Sequence, residues 1–216
     1  MGETLDSYLT KNGIIAVLEI QDQKDAVPTC RALIDGGVHA IELALRTPAA
    51  EPSIALIREN VPEMCVGIGT VIKHGQAKRV KELGAHFAVS PGFNPRIVEE
   101  AQDSGLPFAP GIATPSELEA AVGMGCNILK FFPAVPMGGL SFLKSMNAPY
   151  SYLGLRFIPL GGVSLENLPE WASYSPVISV GGTWIAKKDI INSGDFCRIR
   201  LNASAAVDIW NKMRVK

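Results

Sequence analysis

Eight short apolar runs rich in β-branched residues recur along the chain, and their spacing limits the possible folds more than any other feature. The runs begin at Ile14, Val38, Met64, Ala85, Pro107, Cys126, Leu155 and Pro176. Counted from start to start, they lie 19 to 29 residues apart. Each interval accommodates one strand, one helix and two turns, and runs that are apolar on both faces are typical of buried parallel strands. The pattern predicts a βα unit repeated eight times.

Helix start signals occur between the runs. Residues 114–117, TPSE, have the spacing of a capping box, Asn94 is followed by Pro95, and Ser164 precedes LENLPEW. We therefore predict an α/β protein, a (β/α)8 (TIM) barrel formed by a single domain over residues 1–216, with a helix before the first strand. An open doubly wound sheet is the alternative.

Charge and composition restrict the classes of partner. The chain has 20 basic and 21 acidic residues, and no basic run is interleaved with aromatic residues as on a nucleic-acid surface. The first residues lack the pattern of a signal peptide, and no window approaches 18 consecutive apolar residues. We expect a cytoplasmic protein that binds small molecules and neither nucleic acid nor membrane. The four dispersed cysteines predict reduced thiols and no metal site.

The ends of the second and sixth runs carry the most informative charged residues. Strand alternation places Glu42 and Arg46 on one face of the second run, and Lys130 on the face of Phe132 in the sixth. These two strands stand opposite each other in an eight-stranded barrel, and interior layers are built from alternate strands, so Glu42 and Lys130 can meet. Burial favours a neutral, nucleophilic amine, whereas the carboxylate favours the ammonium. A structural ion pair remains the other interpretation.

Glycine-rich segments follow the last two runs. Gly161 and Gly162 end the seventh run, and the residues 181–183, GGT, end the eighth. The corresponding loops of such barrels commonly bind phosphate through backbone N–H groups, which glycine leaves accessible. The pattern favours a phosphate site, with tight turns as the alternative.

Several of these segments together resemble a known family. The matching segments are IELALRT, VGIGTV, VSPGF, PGIATPSE, LKFFPA, PLGGVS and SVGGTW. In this order and spacing they resemble the 2-keto-3-deoxy-6-phosphogluconate (KDPG) and 4-hydroxy-2-oxoglutarate (KHG) aldolases. These are Schiff-base (class I) aldolases on a (β/α)8 barrel, without metal or other cofactor and usually homotrimeric.

The resemblance implies a role for each candidate residue. Lys130 would form the imine with the substrate C2 carbonyl, and Glu42 would carry protons. The implied substrate-binding residues are Arg46 and Thr70 for the carboxylate, Gly161, Gly162, Gly182 and Thr183 for a phosphate, and Pro91 and Phe132 for the shape of the pocket. The implied reaction cleaves KDPG to pyruvate and glyceraldehyde 3-phosphate, with KHG, which gives pyruvate and glyoxylate, as a second candidate substrate.

Three residues depart from the family pattern. Leu160 stands where KDPG-specific members commonly carry Thr, and related galactonate-type members also have an apolar residue there. Glu19 replaces an Arg, and Thr183 replaces a Ser and keeps the hydroxyl. An aldolase for the galactonate epimer, 2-dehydro-3-deoxy-6-phosphogalactonate, therefore stays open, as does a sugar-phosphate isomerase or binding barrel without covalent chemistry.

Overall fold

The computed structural model describes residues 4–214, and within them strands and helices alternate along the chain. The strands are β1 (Ile14–Leu18), β2 (Ala40–Ala44), β3 (Cys65–Gly69), β4 (Phe87–Val89), β5 (Phe108–Ala109), β6 (Gly111–Ile112), β7 (Ile128–Phe131), β8 (Arg156–Pro159) and β9 (Val180–Gly182). The α-helices are α1 (Leu5–Asn12), α2 (Ala26–Asp35), α3 (Ala50–Asn60), α4 (Gln76–Glu82), α5 (Pro95–Asp103), α6 (Pro115–Gly123), α7 (Gly139–Asn147), α8 (Leu168–Ser173), α9 (Lys188–Ser193) and α10 (Phe196–Arg214). Short 3-10 helices span Gln23–Asp25 and Ala148–Leu153.

The strand ladders pair in parallel in two sheets. One sheet has the order β5-β4-β3-β2-β1-β9 and the other the order β6-β7-β8. A parallel bridge between Phe157 and Val177 links β8 to the segment that leads into β9.

The fifth apolar run, which begins at Pro107, forms β5, and a second short strand that the sequence analysis did not predict, β6, follows it directly. The strands β5 and β6 flank Pro110 and belong to different sheets. Proline has no N–H to donate to a ladder, which interrupts the pairing at this residue. The Pro110 carbonyl still accepts a hydrogen bond from the backbone N–H of Lys130 at 2.9 Å.

Alternation along the strands divides the core into two clusters. An outer cluster, to which Ile41 and Leu43 of β2 contribute, packs the strands against the helices. The other, which we call the inner cluster, draws on strands of both sheets. Its buried members are Leu9, Ile15, Val17, Ala40, Cys65, Phe87, Val89, Ala109, Ile128, Ile158, Leu160 and Ile178. Residues 40 and 42 of β2 therefore face the inner side.

Two of the three helix start signals are confirmed. Thr114 forms the capping box with Glu117, and Asn94 caps α5, whose first residue is Pro95. The third signal was wrong: α8 begins at Leu168, after Asn167, and not directly after Ser164. The side chain of Asn167 accepts the Ser164 N–H at 3.0 Å and so stabilises a turn over the residues between them.

None of the helices within residues 4–214 is both long enough and apolar enough to cross a membrane.

Candidate active site

Lys130 and Glu42 form a buried ion pair on the inner side of the strands. Lys130 lies in β7, and its neighbours Leu129 and Phe131 belong to the outer cluster. Its Nζ donates to Oε1 of Glu42 at 2.9 Å and to Oε2 at 3.2 Å. The two residues are only 4% and 2% exposed. The lysine in the apolar run thus extends away from its apolar neighbours towards a carboxylate on β2.

This geometry is suited to proton transfer as well as to ion pairing. A buried ammonium is tolerated only when its charge is paired and its N–H groups are hydrogen-bonded. A contact of 2.9 Å also lets a proton pass from Nζ of Lys130 to Glu42. That transfer leaves a neutral amine, which can attack a carbonyl carbon, beside a carboxylic acid, which can return the proton.

The Phe132 ring lies beside the Lys130 amine, and Gly161 lies next to that ring. The Phe132 ring centroid lies 5.4 Å from Nζ of Lys130. A Cβ placed on Gly161 would be only 3.1 Å from Cε2 of this ring. A side chain at position 161 would therefore crowd the ring. The peptide bond between Phe132 and Pro133 is cis.

Arg46 and Thr70 lie together in the loops after β2 and β3. Nε of Arg46 donates to Oγ1 of Thr70 at 3.1 Å, and the arginine side chain is exposed. Thr70 has a φ of 64°, a left-handed conformation that β-branched residues rarely adopt. A planar guanidinium held in this way is a bidentate donor suited to a carboxylate.

Pro91 follows β4, and its loop is held by Ser90 and Gly111, to which the resemblance assigned no separate role. The Ser90 hydroxyl donates to the Gly92 carbonyl at 2.7 Å and accepts the Gly111 N–H at 3.4 Å. A Cβ on Gly111 would lie 2.3 Å from the Pro91 carbonyl carbon, so only glycine allows this approach. The loop after β4 is therefore packed directly against β6.

The two glycine-rich loops lie side by side. Gly161 and Gly162 have φ values of 90° and 85°, which favour glycine. A Cβ on Gly181 would be 3.2 Å from Leu160 Cδ2, and one on Gly182 would be 3.5 Å from the Val163 carbonyl oxygen.

Two neighbouring residues complete this region. Thr183 is exposed next to the glycines. The side chain of Asn167, a residue the sequence analysis did not mark as functional, donates to the Gly162 carbonyl at 3.0 Å and so holds the first loop.

Glu19 is neutralised by a residue distant in sequence. Its Oε1 lies 3.1 Å from Nζ of Lys188, at the start of α9, and also accepts a hydrogen bond from Gln21. An unpaired carboxylate near the site would repel an anionic substrate, and the contact with Lys188 offsets this charge. The motifs carry no signal for this contact, since the two residues are separated by 169 positions.

Comparisons with known proteins agree with the motifs. Residues 5–201 match the family model described as KDPG and KHG aldolase. A 2-dehydro-3-deoxy-phosphogluconate aldolase of Treponema pallidum is 39% identical, over 97% of this chain and 99% of the relative.

Two solved structures are also similar. The KDPG aldolase of Legionella pneumophila, with pyruvate captured as a covalent carbinolamine intermediate, has a TM-score of 0.89 and 35% identity, covering 93% of this chain and 97% of that one. The 2-keto-3-deoxy-6-phosphogluconate aldolase of Zymomonas mobilis with 3-phosphoglycerate has a TM-score of 0.85 and 32% identity, covering 94% of each chain. The protein described here belongs to the KDPG and KHG aldolase family.

Proposed function

We propose that this chain is a class I aldolase, a lyase that reversibly cleaves a 4-hydroxy-2-oxo acid to pyruvate and an aldehyde. The observation that carries the proposal is the buried contact of 2.9 Å between Nζ of Lys130 and Oε1 of Glu42. This pair supplies a nucleophile and a proton carrier within one hydrogen bond of each other. Membership of the aldolase family supports the same chemistry.

The first half of the reaction forms the imine. Glu42 accepts a proton from Lys130, and the neutral amine attacks C2 of the substrate to give a carbinolamine. Glu42 then returns the proton to the C2 hydroxyl, which leaves as water. The product is a protonated imine on Lys130 beside an ionised Glu42.

The second half breaks the carbon–carbon bond. Glu42, directly or through a water, accepts the proton of the C4 hydroxyl, and the electrons of the C3–C4 bond move into the imine as the aldehyde departs. Protonation of the resulting enamine at C3 by Glu42 gives the imine of pyruvate. Water hydrolyses this imine, releases pyruvate and restores Lys130.

The remaining site residues would bind the two ends of the substrate. Arg46 and Thr70 are suited to the carboxylate, and the adjacent loops of Gly161, Gly162, Gly182 and Thr183 to a phosphate. Pro91 and Phe132 would shape the pocket between them. KDPG, which gives pyruvate and glyceraldehyde 3-phosphate, is the first candidate substrate, and KHG is the second. The name of the Treponema relative and the 3-phosphoglycerate in the Zymomonas structure support a phosphorylated sugar acid.

Leu160 supports the galactonate epimer as a further candidate substrate. Its side chain is buried in the inner cluster and packs towards Gly181, so it offers no hydroxyl to the substrate. A direct comparison of the two C4 epimers in a cleavage assay decides between them. A sugar-phosphate isomerase or binding barrel without covalent chemistry is the remaining alternative, and the Lys130–Glu42 pair argues against it.

We also propose that the two sheets close into one (β/α)8 barrel and that residues 1–216 form one domain. The bridge between Phe157 and Val177 and the shared inner cluster support closure. Assembly as a homotrimer and a cytoplasmic location are further proposals, supported by the family resemblance. Light scattering of the purified protein tests the trimer.

Borohydride trapping tests the proposed reaction. We expect incubation with pyruvate followed by borohydride reduction to add mass to the protein, located on Lys130 by peptide mapping. Turnover of sugar phosphates by a protein that is not trapped favours the isomerase, and binding without turnover favours the binding barrel.

Two variants separate the roles of the ion pair. Lys130→Ala should abolish trapping. Glu42→Gln should retain some trapping but lose about 10²–10⁴-fold in turnover, the usual contribution of a general acid–base group. A fully active Glu42→Gln enzyme would refute the proton-carrier role.

A further inference from the structure

Strand β3 presents two glycines to the inner side at the level of Glu42. The β2–β3 register pairs Glu42 with Gly67 and Ala44 with Gly69. Cys65 belongs to the inner cluster and Ile68 to the outer one, so the alternation places Gly67 and Gly69 on the inner side. The strand next to Glu42 therefore has no side chain at two successive inner positions.

The carboxylate of Glu42 occupies the space that a side chain at position 69 would need. A Cβ built on Gly69 would lie 2.1 Å from Oε1 of Glu42 and 2.7 Å from its Cγ and Cδ. Gly69 is not among the residues with positive φ, so backbone conformation does not require a glycine there. The requirement is for empty space beside Glu42.

Glu42 has little freedom to move out of the way. The residue is 2% exposed, and both carboxylate oxygens are bound by Nζ of Lys130. The overlap also reaches Cγ, so rotation of the carboxylate alone does not relieve it. A methyl group at position 69 must therefore shift the Glu42 side chain and lengthen its contact with Lys130.

We propose that Gly69 is a positioning residue, whose missing side chain allows Glu42 to lie against β3 and reach Lys130. The inference rests on the proposed aldolase function. Gly69 touches neither substrate nor reacting atoms in this account. It acts only through the position of Glu42.

Gly67 provides a matched control on the same strand. A Cβ on Gly67 would lie 2.1 Å from Cζ of Phe87, an equally severe overlap, but with a buried ring. Gly67→Ala therefore tests what the same substitution does when its closest contacts are with a buried ring and not with the Glu42 carboxylate.

The experiment is a double-mutant cycle in the protein of 216 residues. We expect Gly69→Ala to lower kcat for cleavage about 100-fold with little change in KM, since a displacement of about 1 Å can have that effect. In a Glu42→Gln background the same substitution should lower kcat by less than about threefold, because the proton carrier is already lost. The pH profile of kcat for Gly69→Ala should resemble that of Glu42→Gln. Gly67→Ala should lower the melting temperature, with the same relative effect on kcat in both backgrounds.

A stability measurement keeps the test decisive if Gly69→Ala folds poorly. The overlap predicts a large loss of melting temperature when Gly69→Ala is made alone, and a much smaller loss in a Glu42→Ala background, where the space is vacant. Equal losses of kcat or melting temperature in both backgrounds, or a Gly69→Ala enzyme with unchanged kcat, overturn the inference. If the unmodified protein itself is not trapped by pyruvate and borohydride, the proposed function fails instead.

Discussion

The position of Lys130 illustrates how one charged residue is accommodated in an apolar strand. Its neighbours on either side pack under the helices, while its amine is buried with the Glu42 carboxylate on the inner side. Buried pairs of this kind add little net stability, but the loss of one partner leaves the other charge uncompensated. The pair is therefore better explained by the proposed chemistry than by its contribution to stability.

Removal of only the lysine should therefore destabilise the protein. We expect Lys130→Met to lower the free energy of unfolding by about 3–5 kcal/mol, because the Glu42 carboxylate is left buried without its partner. The double variant Lys130→Met/Glu42→Leu should recover most of that loss while remaining inactive. Urea denaturation measures both, and a Lys130→Met protein as stable as the original would contradict the expectation.

Thr70 carries local backbone strain at the candidate carboxylate site. Its φ of 64° is costly for a β-branched residue, by about 1–3 kcal/mol. We expect Thr70→Gly to keep or raise the free energy of unfolding, while KM rises about tenfold because Arg46 loses its hydroxyl partner. Thr70→Ser should retain the KM of the original. Steady-state kinetics and urea denaturation together check this, and a KM unchanged in Thr70→Gly would argue against the role.

At the scale of elements, helix α4 depends on a residue of helix α5. The residue before α4 is Gly75, which has no side chain with which to cap the helix. Glu100 of α5 replaces that cap, accepting the Gly75 N–H at 2.7 Å and the Lys78 N–H at 3.2 Å. His74 Nδ1 lies 2.8 Å from the same carboxylate. This partly buried side chain links the two helices.

This cap should make stability depend on pH in the acid range. Burial raises the pKa of Glu100, but the backbone hydrogen bonds from Gly75, Lys78 and Ala77 and the nearby His74 lower it more, so the pKa lies below its ordinary value of 4.5. A carboxyl whose folded-state pKa is depressed stabilises the fold above that ordinary value, and the contribution is lost as pH falls through the folded-state pKa.

We expect Glu100→Gln to lower the free energy of unfolding by about 1 kcal/mol at neutral pH, the typical contribution of a cap. The difference from the original should shrink as the pH falls below the range in which Glu100 titrates. Glu99→Gln, at the exposed neighbouring position, is the control and should show neither effect. A deficit in Glu100→Gln that stays constant down to acid pH would rule out the capping role.

At the scale of the whole molecule, helix α10 packs against residues of the first βα unit, which is far from it in the sequence. Ala203 and the Arg200 carbonyl approach Gly36 so closely that a Cβ there would lie 2.5 Å from each. Trp210 covers Gly13, where a Cβ would be 2.2 Å from its Nε1. Trp210 belongs to the outer cluster, on the opposite side of the strands from Lys130.

Truncation of this tryptophan should therefore lower the stability of the protein without changing the reactivity of Lys130. We expect Trp210→Ala to lower the free energy of unfolding by about 3–5 kcal/mol. The protein that remains folded should still be trapped by pyruvate at Lys130 as completely as the original. Circular dichroism establishes whether Trp210→Ala is folded. If the folded variant is no longer trapped, α10 also organises the site.

The strand repeat and the side-chain alternation could be predicted from the sequence, because each depends on residues only a few positions apart. The period of the apolar runs indicated parallel strands separated by helices, and the alternation in residues 40–44 turned Glu42 inwards. The cap at Thr114 is equally local. The interruption at Pro110 was also readable in principle, since a residue without an N–H cannot continue a ladder.

The longer-range contacts in the site and between the helices depend on segments far apart in the chain, and only the tertiary structure decided them. Glu100 caps a helix 25 residues before it, Lys188 neutralises Glu19 across 169 residues, and Gly69 leaves room for a side chain of another strand. A local pattern determines which way a side chain points. The distance at which it meets a partner is determined by how whole strands and helices pack, and for Glu42 and Lys130 that distance makes an apolar strand a candidate site of catalysis.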